Sequence, residues 1–160
     1  MNKLQAIKAK LVNKGYRISV AESLSSGNIQ SRIGSIPGAT QFFEGGVTVY
    51  SLEQKAKLLN VDKIHAEVVD SVSERVAREM ALGVCELFNT QIGISTTGYA
   101  EPSEEMGVEQ PFAFFSIWNN VAKIELENQR VILDRGSRIG NQEMITEVVI
   151  DQLARILGEM

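Results

Sequence analysis

Helical and strand periodicities alternate along this chain, and that alternation limits the possible folds more than any other feature. Leu4, Ile7 and Leu11 recur at helical spacing, and Gly15 closes the run. A β-rich run follows at 17–21, then a helix at 27–33 that Ser25 or Ser26 would open as N-cap. Pro37-Gly38 marks a turn within 35–38. A strand at 46–50 and a short helix at 52–59 come next. A longer helix runs from a Ser71/Glu74 capping box through about Phe88. Residues 92–96 predict a strand that ends in a Thr97-Gly98 turn. Two further strands, 112–118 and 121–133, meet in a hairpin at Asn119-Asn120, and a last helix covers 141–157. This order predicts an α/β layered domain with a mixed sheet.

The chain has 160 residues, the size of one domain with a good core, and it shows no repeat or linker. No run approaches the roughly 20 apolar residues of a membrane span. The basic N-terminus spaces its apolar residues helically, so neither a membrane anchor nor export is expected. The single cysteine, Cys85, excludes an internal disulfide and any multi-cysteine metal site. Its apolar neighbours read as a buried thiol, which fits a reducing cytoplasm. A net charge of −4 with scattered lysines and arginines disfavours nucleic acid as a partner. His65, in the sequence VDKIHAEVV, reads as a surface or loop residue, because nothing nearby supplies nitrogen or sulfur ligands for a metal.

Ligands of α/β folds sit beyond the carboxyl ends of strands. Ser23, Tyr50 and Thr97 each fall at or just past a predicted strand end, and Lys55 lies one turn into the helix after Tyr50. With one histidine in the chain, a nucleophilic serine would need a lysine as its base, and Lys55 is placed for that. The first turns of a helix also help a lysine shed its proton. Each residue keeps a plainer alternative: a cap or turn for Ser23, a solvated surface for Lys55, an amphipathic strand end for Tyr50. Arg138 suits either an anion or an ion pair, and Gly45-Gly46 reads as a bulge or a close approach. The polar, acidic stretch 99–110 is long enough for a functional loop.

These segments together resemble the C-terminal domain of the competence/damage-inducible protein A (CinA) family, which includes nicotinamide mononucleotide deamidases. The likeness spans nearly the whole chain. It is carried by AESLSSG at 21–27, PGAT at 37–40, FEGGVTVYSLEQK at 43–55, LLNV at 58–61, TTGYAEP at 96–102 and GSR at 136–138. Leu24 stands where the family has cysteine, Glu101 where it has glycine, and Ser137 replaces the aspartate of its GDR motif. Phe112-Ala113-Phe114 replaces a Val-Gly-Thr strand start.

The resemblance implies a single domain over 1–160, built as a three-layer α/β/α sandwich. It implies an amidohydrolase that converts nicotinamide mononucleotide and water to nicotinate mononucleotide and ammonia. Ser23 would be the nucleophile, Lys55 its base, Tyr50 an assistant, and Thr97 a substrate or oxyanion contact. Substrate would be bound by Ser25, Ser26 and Gly27 through main-chain N–H groups, and by Gly46, Gly98 and Arg138. No metal or cofactor is implied; relatives in the family imply a homodimer. A degenerate domain that binds a nucleotide or a protein is the alternative.

Overall fold

A computed structural model describes residues 1–160. Five strands form one mixed sheet in the order β2-β1-β3-β4-β5: β1 Ile18–Glu22, β2 Phe43–Thr48, β3 Ile92–Tyr99, β4 Phe112–Asn119 and β5 Ile124–Ile132. β1 runs parallel to both β2 and β3, while β3-β4 and β4-β5 are antiparallel. On one face lie α1 (Lys3–Lys14), α2 (Asn28–Gly34) and α6 (Arg138–Glu159); on the other lie α3 (Leu52–Leu59), α4 (Lys63–Val68) and α5 (Glu74–Phe88). This is the expected α/β/α arrangement. No helix is long and apolar enough to cross a membrane.

The two faces carry separate apolar clusters. A core of 22 buried residues, among them Ile7, Val20, Ile94, Phe115 and Leu153, fills the α1/α2/α6 side. A cluster of eight buried residues, including Ala21, Val49, Leu59, Ala66 and Met80, fills the α3/α4/α5 side. At about 25 cal/mol per Å², the larger core supplies most of the hydrophobic stabilisation.

Several expected boundaries move, each for a local reason. α1 opens with a capping box from Asn2 and closes on left-handed Gly15. The cap of α2 is Gly27, with φ at 92° and no side-chain hydrogen bond, so neither Ser25 nor Ser26 caps it. The cap of α5 is Ser73, whose hydroxyl accepts the Val76 N–H; Ser71 stands outside the helix with φ at 61°. β2 starts three residues earlier than expected and stops at Thr48, short of Tyr50.

β3 continues through Thr97-Gly98 instead of turning there. A Cβ on Gly98 would come within 2.5 Å of the Ala113 Cα and the Phe112 carbonyl oxygen, so this glycine permits close β3–β4 pairing. Residues 120–123 make the β4–β5 turn, longer than the two-residue hairpin expected, with Lys123 at φ 58°. α6 begins at Arg138, capped by Ser137, three residues before its predicted start. α4 was not expected at all. Six residues are too few to show a full helical period, and Asp62, which accepts the His65 N–H, is the signal that could have revealed it.

Candidate active site

β1 ends at Glu22 and the chain turns sharply through 23–27. Ser26 N–H donates to the Ser23 carbonyl and Asn28 N–H to the Ser25 carbonyl, with Ser26 and Gly27 both left-handed. This turn holds Ser23, only 6% exposed, at the carboxyl end of the sheet. From the other side, Ser51 caps α3 by accepting the Gln54 N–H, and Lys55 sits on the inward face of that helix. The sequence therefore delivers serine and lysine from two different elements to one point.

Lys55 is 2% exposed, and its Nζ lies 3.0 Å from Ser23 Oγ. Nζ also lies 3.0 Å from the Val49 carbonyl oxygen and 3.2 Å from that of Tyr50. As an ammonium, Lys55 donates to all three oxygens. As a neutral amine it has two N–H groups, which the two carbonyls accept, and its lone pair is left for the Ser23 hydroxyl. Burial lowers the lysine from its ordinary 10.5 to about 8, against an opposing pull from the Asp70 carboxylate. About a tenth of the molecules thus carry the neutral amine at pH 7.

Ser23, Tyr50, Lys55, Thr97 and Gly98 line one open cavity of about 430 Å³, whose wall also carries Glu67, Asp70 and Tyr99. Thr97 is buried and donates its hydroxyl to the Ser71 carbonyl at 2.6 Å. Its oxygen is therefore free to accept from a ligand, while its proton is committed. Asp70 and Ser71 are consecutive left-handed residues (φ 53° and 61°), an arrangement that costs roughly 1–3 kcal/mol per residue and concentrates at functional sites. Asp70 also accepts the Tyr99 hydroxyl at 3.0 Å, and burial together with that carboxylate pushes the Tyr99 phenol up to about 12.

Tyr50 contributes in two ways. Its carbonyl holds Lys55, whereas its half-exposed side chain turns outward and its hydroxyl meets Arg138 Nη2. Arg138 in turn donates from Nη1 to Glu101 at 3.0 Å. Arg138, Glu101 and Asn141 line a neighbouring cavity of about 440 Å³. The Tyr50–Arg138 contact thus stands between the two cavities.

The remaining expected contacts are not at the cavity. Ser25 is fully buried and bonded to Glu22 and Thr96, and Ser26 points to solvent. Gly27 is the N-cap of α2 and lines neither cavity, and the α2 amides just beyond it, Ile29 and Gln30 N–H, already donate to the Glu22 carboxylate at 3.0 and 2.9 Å. Gly46 lies in the edge strand β2, where a Cβ would strike the Gln30 side chain, away from Ser23. Of the substitutions, Leu24 is packed in the larger core on the opposite face of the sheet. Phe112 lines neither cavity and packs edge-on against Tyr99 with ring centroids 5.5 Å apart.

Sequence reasoning missed Glu22, Thr96 and Asp70. Glu22 was visible only as a carboxylate at the end of an otherwise apolar strand. His65 is half-buried on α4, its Nε2 2.9 Å from Ser73 Oγ. Cys85 is buried, which pushes its thiol up to about 11. No group of three or more histidine, cysteine, aspartate or glutamate residues is placed to hold a metal ion.

Comparison with known proteins bears on the family and the fold. The family model described as the CinA C-terminal domain matches residues 2–157. A Mycoplasma pneumoniae protein, "Protein MG115 homolog", is 31% identical over 156 residues, covering 96% of each chain. A "CinA-like protein" of Chlorobium limicola is 42% identical over 97 residues, which are 61% of this chain and 23% of that protein. The first curated relatives are likewise much longer, the matched part being 22–24% of their length. The crystal structure of a CinA superfamily protein from Klebsiella pneumoniae superposes over 100% of both chains with a TM-score of 0.88 at 25% identity. One from Enterobacter cloacae shares the fold, with a TM-score of 0.90 at 22% identity over 97% of this chain and 90% of that one. The chain belongs to the CinA C-terminal domain family.

Proposed function

We propose that this domain hydrolyses the carboxamide of nicotinamide mononucleotide, releasing ammonia and nicotinate mononucleotide. The observation that carries the reading is Lys55 Nζ at 3.0 Å from Ser23 Oγ, with two carbonyls holding its other hydrogens. Ser23 Oγ attacks the carboxamide carbon as its proton passes to Lys55. The ammonium then protonates the departing nitrogen, ammonia leaves, and an ester to Ser23 remains. Water, deprotonated by Lys55, cleaves that ester and frees the carboxylate and the serine. Thr97 Oγ1 accepts an N–H of the carboxamide and so orients it. Asp70 and Glu67 on the wall suit the positively charged pyridinium ring.

The test is ammonia release from nicotinamide mononucleotide by folded protein, with Ser23→Ala as blank. Turnover abolished by that change supports the reading; no release above the blank overturns it. A second reading, binding without turnover, is favoured by Glu101 already holding the guanidinium of Arg138. Thermal stabilisation by nucleotides in the absence of turnover would support that reading.

A further inference from the structure

Glu22 immediately precedes Ser23 and is fully buried, yet it lines neither cavity and touches no part of the serine–lysine pair directly. Its Oε1 accepts from Ile29 N–H at 3.0 Å and from Ser25 Oγ at 2.7 Å, and its Oε2 accepts from Gln30 N–H at 2.9 Å. Ser25 Oγ lies 2.8 Å from Thr96 Oγ1, which accepts the Ser23 main-chain N–H at 3.3 Å. Ser25 and Thr96 are both inaccessible to solvent.

The direction of this chain of hydrogen bonds is forced. A carboxylate can only accept, so the single Ser25 hydrogen points to Glu22. The bond between the two hydroxyls must then be donated by Thr96. Its lone pairs are turned toward the Ser23 N–H, which is the last donor in the series. One buried charge thus sets the orientation of two hydroxyls and ties down both sides of the turn that carries Ser23. It fixes the start of α2 through Ile29 and Gln30 and fixes the Ser23 amide through Ser25 and Thr96. No water is needed to complete the network, and each hydrogen has one destination.

We propose that Glu22, Ser25 and Thr96 are positioning residues that hold Ser23 Oγ in line with Lys55 Nζ by fixing the Ser23 main chain from behind. This rests on Ser23 being the nucleophile of the proposed amide hydrolysis. Ser25 thereby serves the nucleophile from within the turn and does not meet the ligand. Because the main chain of Ser23 is what is held, the effect falls on the rate of attack and not on ligand affinity. Misplacing a reacting atom by about 1 Å can cost on the order of a hundredfold in rate.

The experiment measures two reactions of the full chain. One is ammonia release from nicotinamide mononucleotide, resolved into kcat and KM. The other is acetylation of Ser23 by p-nitrophenyl acetate, followed by nitrophenolate release and by mass spectrometry of the Ser23 peptide. In the second reaction Ser23 Oγ bonds to the acetyl carbon, its proton goes to Lys55, and nitrophenolate departs. Thr96→Val keeps the side-chain shape and removes the hydroxyl; Thr96→Ser restores it. Thr90→Val removes a comparably buried hydroxyl, that of Thr90, which is bonded to Ser19 at the far end of the sheet.

Thr96→Val is expected to slow acetylation and lower kcat about ten- to a hundredfold with KM nearly unchanged. Thr96→Ser should recover to within about threefold, and Thr90→Val should match the parent protein. Ser25→Ala should behave like Thr96→Val, which guards against one variant failing to fold. Folded Thr96→Val that acetylates at the parent rate overturns the proposal, as does an equal loss in Thr90→Val. Acetylation of Ser23 that follows the expected order, without any ammonia from nicotinamide mononucleotide, overturns the substrate reading and upholds the positioning role. A Ser23 that reacts with neither reagent in the parent protein overturns both.

Discussion

Replacing Lys55 with methionine separates the cost of burying an ammonium from everything else in the fold. The lysine falls from 10.5 to about 8 because its charged form has been withdrawn from water. Below pH 8 both folded and unfolded chains hold the proton, and the folded chain bears the whole penalty, about 3 kcal/mol. Between pH 8 and 10.5 the unfolded chain holds more proton than the folded one, so stability rises with pH. Integrated from pH 7 to 9.5, the gain is about 2 kcal/mol.

Other groups work in the opposite direction. Cys85 rises from 9.0 to about 11 and Tyr99 from 10.0 to about 12, so each favours the unfolded chain as pH climbs past its ordinary value. Lys55→Met leaves both in place, and their effect cancels in the difference between the two proteins. Urea unfolding of parent and Lys55→Met at half-unit steps of pH gives that difference directly. The parent should gain about 2 kcal/mol on the variant between pH 7 and 9.5, a relative midpoint shift of about 1 M urea. A flat difference across that range would show that Lys55 titrates normally, and the Ser23–Lys55 mechanism would lose its base.

Three further outcomes follow from the same geometry. Turnover should rise with pH through about 8, and Asp70→Asn, which removes the one charge raising Lys55, should move that acid limb to lower pH; a limb that stays put or moves up contradicts the assignment. Glu101→Gln frees Arg138 from an exposed ion pair worth at most about 1 kcal/mol, so KM for a phosphate-bearing substrate should fall up to about fivefold, with no change for the corresponding nucleoside. Gly83→Ala would press a methyl into the Leu59 carbonyl at the end of α3, costing roughly 1–3 kcal/mol. Because α3 carries Lys55, kcat should drop in the same variant even at temperatures where it is fully folded.

The order of elements was legible because apolar spacing reports on local period, and each of the expected helices and strands is present. The α3 limits, Leu52–Leu59, came out as read because Ser51 caps the helix in sequence and Asn60 closes it in the left-handed region. Boundaries failed where the deciding partner is distant in the chain. α2 needs no serine cap because Glu22, seven residues ahead of Ile29, supplies the acceptor. Thr97-Gly98 resembles a turn, yet pairing with Phe114 and Ala113 keeps it extended. In the site, Ser23 could be named from the end of β1 and Lys55 from the start of α3, whereas Thr97 was reached through an expected strand end that in fact lies two residues farther on, at Tyr99. The two carbonyls that hold Lys55 could not, since main-chain groups leave no mark on sequence. Neither could the placement of Ser25 behind the turn, which depends on Thr96, 71 residues away.

The unequal division of the interior has a consequence for how this molecule loses function. Lys55 is carried by a short helix over the cluster of eight residues, while the sheet leans chiefly on the cluster of 22 across its other face. Opening of α3 and α4 alone would expose little apolar surface and leave the sheet intact, so it is a cheaper excursion than global unfolding. Warming should then silence the site well before the fold melts. Amide protons of α3 should exchange at a lower free energy than those of β1 and β3, making Lys55 the thermally weaker member of a pair whose serine directly follows the well-protected strand β1.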